Sequence, residues 1–316
     1  MLKSVDVIVR EVGLRDGLQL VKSFVPTETK LKWLRAVAAA GVPEVEVTNF
    51  VPAKVIPQFA DAADVARGAL EIAGPRMCAL APNRKGAENM LAAGIRKINF
   101  VLSVSEGHNL ANVRKTPDQS FAEFESVVAL RKEKPEYKDV IIQGCLATSF
   151  GCTIEGNVDP RRVVSFAERY LSLGADEITL ADTVGYAGPG EIKNLFRDVV
   201  KLASGKPVYC HFHDTRGLGL ANAFAALESG VTGFDASTGG LGGCPFAPGA
   251  SGNIVMEDLV FMLEKQGVRT GVDLELYREA RRIAETALPD EQFYGTILRA
   301  GLPKGFTPAT PRMAAE

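Results

Sequence analysis

The sequence predicts an α/β fold, a (β/α)8 TIM barrel with a C-terminal helical appendage, on three observations. Short β-branched runs alternate with longer stretches of helical period, and the alternation repeats eight times. Each unit is about thirty residues, enough for a strand and its crossover helix, which implies a parallel sheet with right-handed connections. No Gly-x-Gly-x-x-Gly follows the first strand, so an open dinucleotide-binding sheet is disfavoured, and eight units favour closure.

In chain order the strands are expected at residues 5–11, 44–48, 76–80, 97–101, 140–146, 177–180, 208–212 and 233–236. The helices that follow them are expected at 27–40, 57–69, 84–93, 121–132, 160–173, 190–202, 219–229 and 253–265. Gly41, Gly94, Gly174, Gly230 and Gly267 close helices, as C-cap chemistry prefers. No linker, low-complexity stretch or charge block divides the chain. Residues 1–273 are therefore assigned to one catalytic barrel. Residues 274–316 carry further helical pattern before a Pro- and Ala-containing end, and are expected as a helical extension packed on the barrel.

The composition, 46% hydrophobic and 23% charged, supplies ample core for a soluble protein. A net charge of −2 creates no field for nucleic acid or an anionic membrane, so neither is expected as a partner. Five cysteines (Cys78, Cys145, Cys152, Cys210 and Cys244) are odd in number and lack zinc or CxxC spacing. A reduced, cytoplasmic setting is the natural expectation. No signal peptide or transit segment is expected, and no apolar run reaches the roughly eighteen residues that span a bilayer.

Two segments carry chemistry. His211-Phe212-His213-Asp214 offers imidazoles at i and i+2, which on a strand share one face about 6.6 Å apart, within reach of one metal ion. The glycine-dense run from Gly239 to Asn253 contains one thiol, Cys244, and ends in one amide. A stretch this rich in glycine contributes little to a core and is expected to fold around something. Barrel active sites sit at the carboxyl ends of the strands. Glu11 with the Gly13–Gln19 segment, Glu46 and Thr48, Asp182-Thr183, His211 and His213, and the loop bearing Cys244 and Asn253 all end strands and fall on that rim. Cys78, Cys145, Cys152 and Cys210, in or beside strands, are read as core.

Gly13-Leu14-Arg15-Asp16-Gly17-Leu18-Gln19, the His211–Asp214 segment and the Gly-Gly-Cys-Pro loop through Asn253 resemble the 3-hydroxy-3-methylglutaryl-CoA lyase family, divalent-metal barrel enzymes that break carbon–carbon bonds. The likeness runs from about residue 5 to about residue 273. It implies Asp16, His211, His213 and Asn253 as ligands of Mg²⁺ or Mn²⁺. Two histidines and a carboxylate also suit non-haem iron, and the residues alone leave that open. The resemblance further implies Arg15 as the electrophile beside the thioester oxygen, Cys244 as the acid protonating the enolate carbon, and Glu46 and Asp182 as catalytic support. The base is left among Asp16, Glu46 and Asp182.

Gln19 resembles a substrate-pocket residue, and His108, on the rim beyond strand four, is expected to contact substrate or CoA. Plainer readings stand beside these: an Arg15–Glu46 ion pair, an inert Cys244, a turn-stabilising Gln19, an exposed-loop His108, and Glu46 and Asp182 merely orienting Arg15 and the histidines. Leu14, Leu20-Val21, Arg216 and Leu218 depart from the usual family pattern, and Arg216 is a candidate for a substrate carboxylate. The activity implied is cleavage of 3-hydroxy-3-methylglutaryl-CoA to acetyl-CoA and acetoacetate by a homodimer, with a place in leucine degradation. Alternatives are a lyase for another branched 3-hydroxyacyl-CoA such as citramalyl-CoA, a synthase joining acetyl-CoA to a 2-oxo acid, and a catalytically silent scaffold.

Overall fold

In the computed structural model, which describes residues 5–243 and 252–310, eight parallel strands close into a barrel in sequence order. They are β1 (Ile8–Glu11), β2 (Glu44–Asn49), β3 (Arg76–Leu80), β4 (Lys97–Ser103), β5 (Ile141–Ala147), β6 (Glu177–Asp182), β7 (Val208–Phe212) and β8 (Gly233–Ala236). The last strand pairs with the first, Ile8 against Gly233 through Glu11 against Ala236, so no edge is left open. Every expected strand is present, with ends moved by a few residues.

Helices α1 (Thr27–Ala39), α2 (Ala62–Leu70) and α3 (Arg84–Ala92) follow the first three strands. β4 is followed by two helices, α4 (Glu106–Val113) and α5 (Pro117–Ala129), and the first was expected as loop. Its polar, glycine-containing sequence has little apolar period, but the Ser105 hydroxyl caps it by accepting from the His108 N–H at 3.2 Å. His108 is therefore a buried helical residue, not one on an exposed loop. Helices α6 (Pro160–Leu173), α7 (Pro189–Ala203), α8 (Gly219–Leu227) and α9 (Met256–Lys265) complete the ring. Beyond it, α10 (Leu274–Ala287) packs along α1, and α11 (Ile297–Ala300) is a single turn. The Thr310 hydroxyl accepts from the Gly271 N–H at 2.9 Å, tying the last described residues to the barrel. Among the described residues no helix is long and apolar enough to cross a membrane.

Strand parity sorts the side chains. Val9, Val45, Ile98, Ile142, Ile178, Phe212 and Phe234 lie between sheet and helices in the apolar core. Their alternate neighbours fill the barrel interior and are mostly polar. Arg10 on β1 reaches across to Gln143 on β5 at 2.7 Å and forks onto Asp235 at 2.7 and 2.8 Å. Lys97 is held by Glu44 at 2.7 Å and Glu177 at 2.5 Å, with its ammonium 4.7 Å from the Tyr209 ring centre.

Buried charges of this kind are tolerated because each has partners, and removing one member leaves its counter-ions stranded. Lys97→Met is expected to cost about 3 kcal/mol, because Glu177 then loses its cation and Glu44 keeps only the longer contacts of Arg10 at 3.5 Å and Arg76 at 3.8 Å. The check is a urea titration, in which the midpoint falls while the slope is unchanged.

Candidate active site

β1 delivers the first two site residues through one widened helical turn, Gly13–Gly17. The Val12 carbonyl accepts from the N–H groups of Arg15, Asp16 and Gly17 at 3.1, 2.7 and 3.2 Å, which coils the chain tightly and turns both side chains over the barrel mouth. Glycine is required at 13: a Cβ there would stand 2.5 Å from Glu11 Oε1. Arg15 donates from Nε to Glu46 at 2.5 Å and from Nη1 to Asp16 at 2.6 Å. Burial opposes the guanidinium charge, but Glu46 and Asp16 outweigh it and hold the pKa above its ordinary value.

β7 delivers His211 and His213, whose Nε2 atoms stand 3.3 Å apart, each 3.7 Å from Asp16 Oδ2. Asn253 arrives by a different route. After the loop the chain returns beside the end of β7, with the Asp214 N–H on the Gly252 carbonyl at 2.9 Å and the Ile254 N–H on the Phe212 carbonyl at 3.0 Å, setting Asn253 opposite His213. The Asn253 amide nitrogen donates to Asp16 Oδ2 at 2.7 Å and to the Leu241 carbonyl at 2.9 Å. Its Oδ1 is buried with no hydrogen-bond partner among the described residues.

These atoms fit a divalent cation. Asp16, His211 and His213 present ligand atoms within 4.8 Å of one another, and the orphaned Asn253 oxygen supplies a fourth donor. His211 Nδ1 lies 3.0 Å from Asp235 Oδ2, an arrangement that leaves Nε2 as the lone-pair nitrogen. Burial pushes His213 down to about 4, so it is neutral near pH 7. Burial works against the Asp16 charge, yet Arg15 and both histidines hold its carboxyl well below the usual range. Two imidazole nitrogens, a carboxylate and an amide oxygen suit a divalent cation that takes mixed nitrogen and oxygen donors.

A cavity of about 360 Å³ opens here, at the carboxyl ends of the strands. Arg15, Asp16, Glu46, His211 and His213 line one side, and Gln19 and His108 also border it. The His108 ring is fixed by Ser103, whose Oγ lies 2.7 Å from Nδ1. Cys244 lies outside the described residues, but its neighbour Gly243 borders the cavity.

Two candidates are not brought to this cavity. Asp182 belongs to the outward parity of β6, where its carboxylate accepts from the Tyr186 and Ala187 N–H groups at 2.9 and 3.0 Å. It closes the β6–α7 turn and does not touch Arg15 or either imidazole. Arg216 braces the same turn, donating to the Val184 and Gly185 carbonyls at 2.9 and 3.2 Å with its guanidinium 4.6 Å from the Tyr186 ring centre. It is therefore not placed to meet a substrate carboxylate. Cys145, read as core, instead faces inward on β5 and lines the cavity, where burial pushes its thiol up to about 12.

Sequence reasoning also missed Arg10, Asn99, Gln143 and Asp235, which form the cavity floor. The available signal was a polar residue at alternate positions of otherwise apolar strands.

The HMGL-like family model matches residues 6–284. A hydroxymethylglutaryl-CoA lyase of Bacillus subtilis is 38% identical over 279 residues, covering 88% of this chain and 92% of that protein. The mitochondrial hydroxymethylglutaryl-CoA lyase of Rattus norvegicus is 40% identical over 270 residues, 85% of this chain and 82% of that protein. Among solved structures, an HMG-CoA lyase of Acinetobacter baumannii in complex with coenzyme A and 3-methylmalate is 41% identical, with a TM-score of 0.88 over 96% of this chain and 97% of that one. By sequence over most of its length, and by a fold shared at that level, the chain belongs to the HMGL-like family of carbon–carbon lyases.

Proposed function

We propose that the protein cleaves 3-hydroxy-3-methylglutaryl-CoA to acetyl-CoA and acetoacetate by retro-Claisen chemistry. The observation that carries this reading is the convergence of Asp16, His211, His213 and the unpartnered Asn253 oxygen beside a cavity that Arg15 also lines, in a chain of this family. A divalent ion held by those four residues would lower the pKa of the substrate 3-hydroxyl.

A base takes the hydroxyl proton, the C3–O bond becomes the ketone of acetoacetate, and the C2–C3 electron pair passes into the thioester to give an enolate. Arg15, pinned from two sides, donates to the enolate oxygen, whose charge develops as the bond breaks. Of the three candidate bases Asp182 faces away from the cavity, which leaves Asp16 and Glu46 for the hydroxyl proton. Cys244, one residue from the cavity-lining Gly243, delivers a proton to C2 and completes acetyl-CoA. Gln19 and His108 contact the acyl-CoA. Mg²⁺ or Mn²⁺, a homodimer and a cytoplasmic setting belong to the same reading.

Purified protein given this thioester and Mg²⁺ or Mn²⁺ is expected to release acetoacetate. EDTA stops release, added metal restores it, and Cys244→Ala nearly abolishes it. Absence of acetoacetate with either metal overturns the proposal. A second reading, a lyase for another branched 3-hydroxyacyl-CoA, is favoured by the small side chains Cys145, Ala147 and Ala181 along the cavity wall. Citramalyl-CoA cleaved faster than the methylglutaryl thioester would establish it. Free CoA appearing from acetyl-CoA plus a 2-oxo acid would instead mark a synthase.

A further inference from the structure

We propose that Tyr277, on α10 outside the barrel, is a positioning residue for the reaction: it fixes Glu11, and through Glu11 the Gly13–Gly17 turn that presents Arg15 and Asp16. Tyr277 is fully buried, and its hydroxyl donates to Glu11 Oε2. The Tyr277 hydroxyl oxygen also lies 2.6 Å from Thr238 Oγ1; its one proton being given to Glu11, it accepts there. The other oxygen of Glu11 accepts from the Gly13 N–H at 2.6 Å and from the Thr238 N–H at 3.0 Å. One carboxylate thus ties together the start of the turn after β1, the start of the turn after β8, and α10. Burial pushes Glu11 up to about 7, against the pull of the Tyr277, Thr238 and Gly13 donors toward its charged form.

The same helix holds the second turn independently. Arg281 donates to Glu257 at 3.2 Å and to the Tyr294 carbonyl at 2.7 Å. Glu257 accepts from the Gly239 N–H at 3.1 Å, and the Tyr294 N–H donates to the Gly239 carbonyl at 2.8 Å. The two turns then meet at the ligand set, where the Asn253 amide bridges the Leu241 carbonyl and Asp16. A shift of either turn therefore moves Asp16 relative to the histidines. α10 is in this sense part of the apparatus that the barrel carries, although no residue of it lines the cavity.

The inference rests on the reading of Asp16 and Arg15 as working residues, and its test has an arm that does not depend on turnover. Tyr277→Phe keeps the ring and deletes the hydroxyl. It is expected to lower kcat roughly tenfold with KM within about twofold, since orientation and not substrate contact is lost. Calorimetric Mn²⁺ affinity is expected to weaken by about fivefold or more.

Thr238→Val leaves the Tyr277–Glu11 bond and removes only the hydroxyl that braces Tyr277, so it should give smaller losses in the same direction, and it serves if the phenylalanine variant fails to fold. Glu11→Gln, which keeps an oxygen to accept from the Gly13 and Thr238 N–H groups, combined with Tyr277→Phe should cost no more than the worse single change, because both act through one tie. Unchanged kcat and Mn²⁺ affinity in a folded Tyr277→Phe protein, or fully additive losses in the double variant, overturn the inference. If the wild-type protein turns over no methylglutaryl thioester, the proposed activity fails, while the Mn²⁺ arm still decides the role of Tyr277.

Discussion

Arg15→Gln is expected to lower kcat by about 10²–10³-fold with little change in KM, the loss typical of removing one donor aimed at a developing oxyanion. Two carboxylates engage Nε and Nη1 and fix the plane of the guanidinium, and Nη2 is used by neither. A donor held this way needs no reorganisation as charge moves onto the thioester oxygen. Glutamine cannot satisfy Glu46 and Asp16 together and still reach the substrate. Arg15→Lys is expected to recover little, because an ammonium lacks the planar fork that both partners grip. Steady-state kinetics with the methylglutaryl thioester decide the point, and an Arg15→Gln enzyme keeping a tenth of wild-type kcat would refute the assignment.

Asp235→Asn is expected to weaken Mn²⁺ binding by about 10–100-fold. Asp235 accepts from His211 and from Nε and Nη2 of Arg10, and although burial works against its charge, Arg10 and His211 hold it down to about 2. The carboxylate fixes which His211 nitrogen carries the proton and leaves Nε2 toward Asp16 and His213. An amide in its place can turn its NH₂ toward the imidazole and no longer enforces that choice. Titration of the variant with Mn²⁺, followed by electron paramagnetic resonance of the free ion, measures the change. Wild-type affinity in a variant of unaltered secondary structure would remove Asp235 from the account.

Much of this was legible in the sequence because the barrel writes itself as alternating periods. The eight strands fall where the β-branched runs do, and the HxH pair reads as two ligands on one face since a strand has a period of two. The same period went unused at the strand ends. Asp182 and Glu11 end their strands on the outward parity, so ending a strand was not enough to place them at the mouth. Arg216 follows β7 by only a few residues and so reads as a candidate for the substrate, but two loop carbonyls and the Tyr186 ring claim it. Asn253 depends on the chain doubling back beside β7, which no local pattern announces. The link between α10 and the turn after β1 joins residues 266 positions apart and has no signature in either segment.

The charged filling of the barrel has a consequence for how this enzyme can change. Arg10, Glu44, Lys97, Glu177 and Asp235 form ion pairs across five different strands, and one of them abuts a histidine of the site. No single position among them has a harmless replacement, so drift there must come as compensated pairs. A redesign of the cavity floor for a new acyl group would have to rewrite that set together or leave it alone, whereas the wall at Cys145, Ala147 and Ala181 carries no such debt.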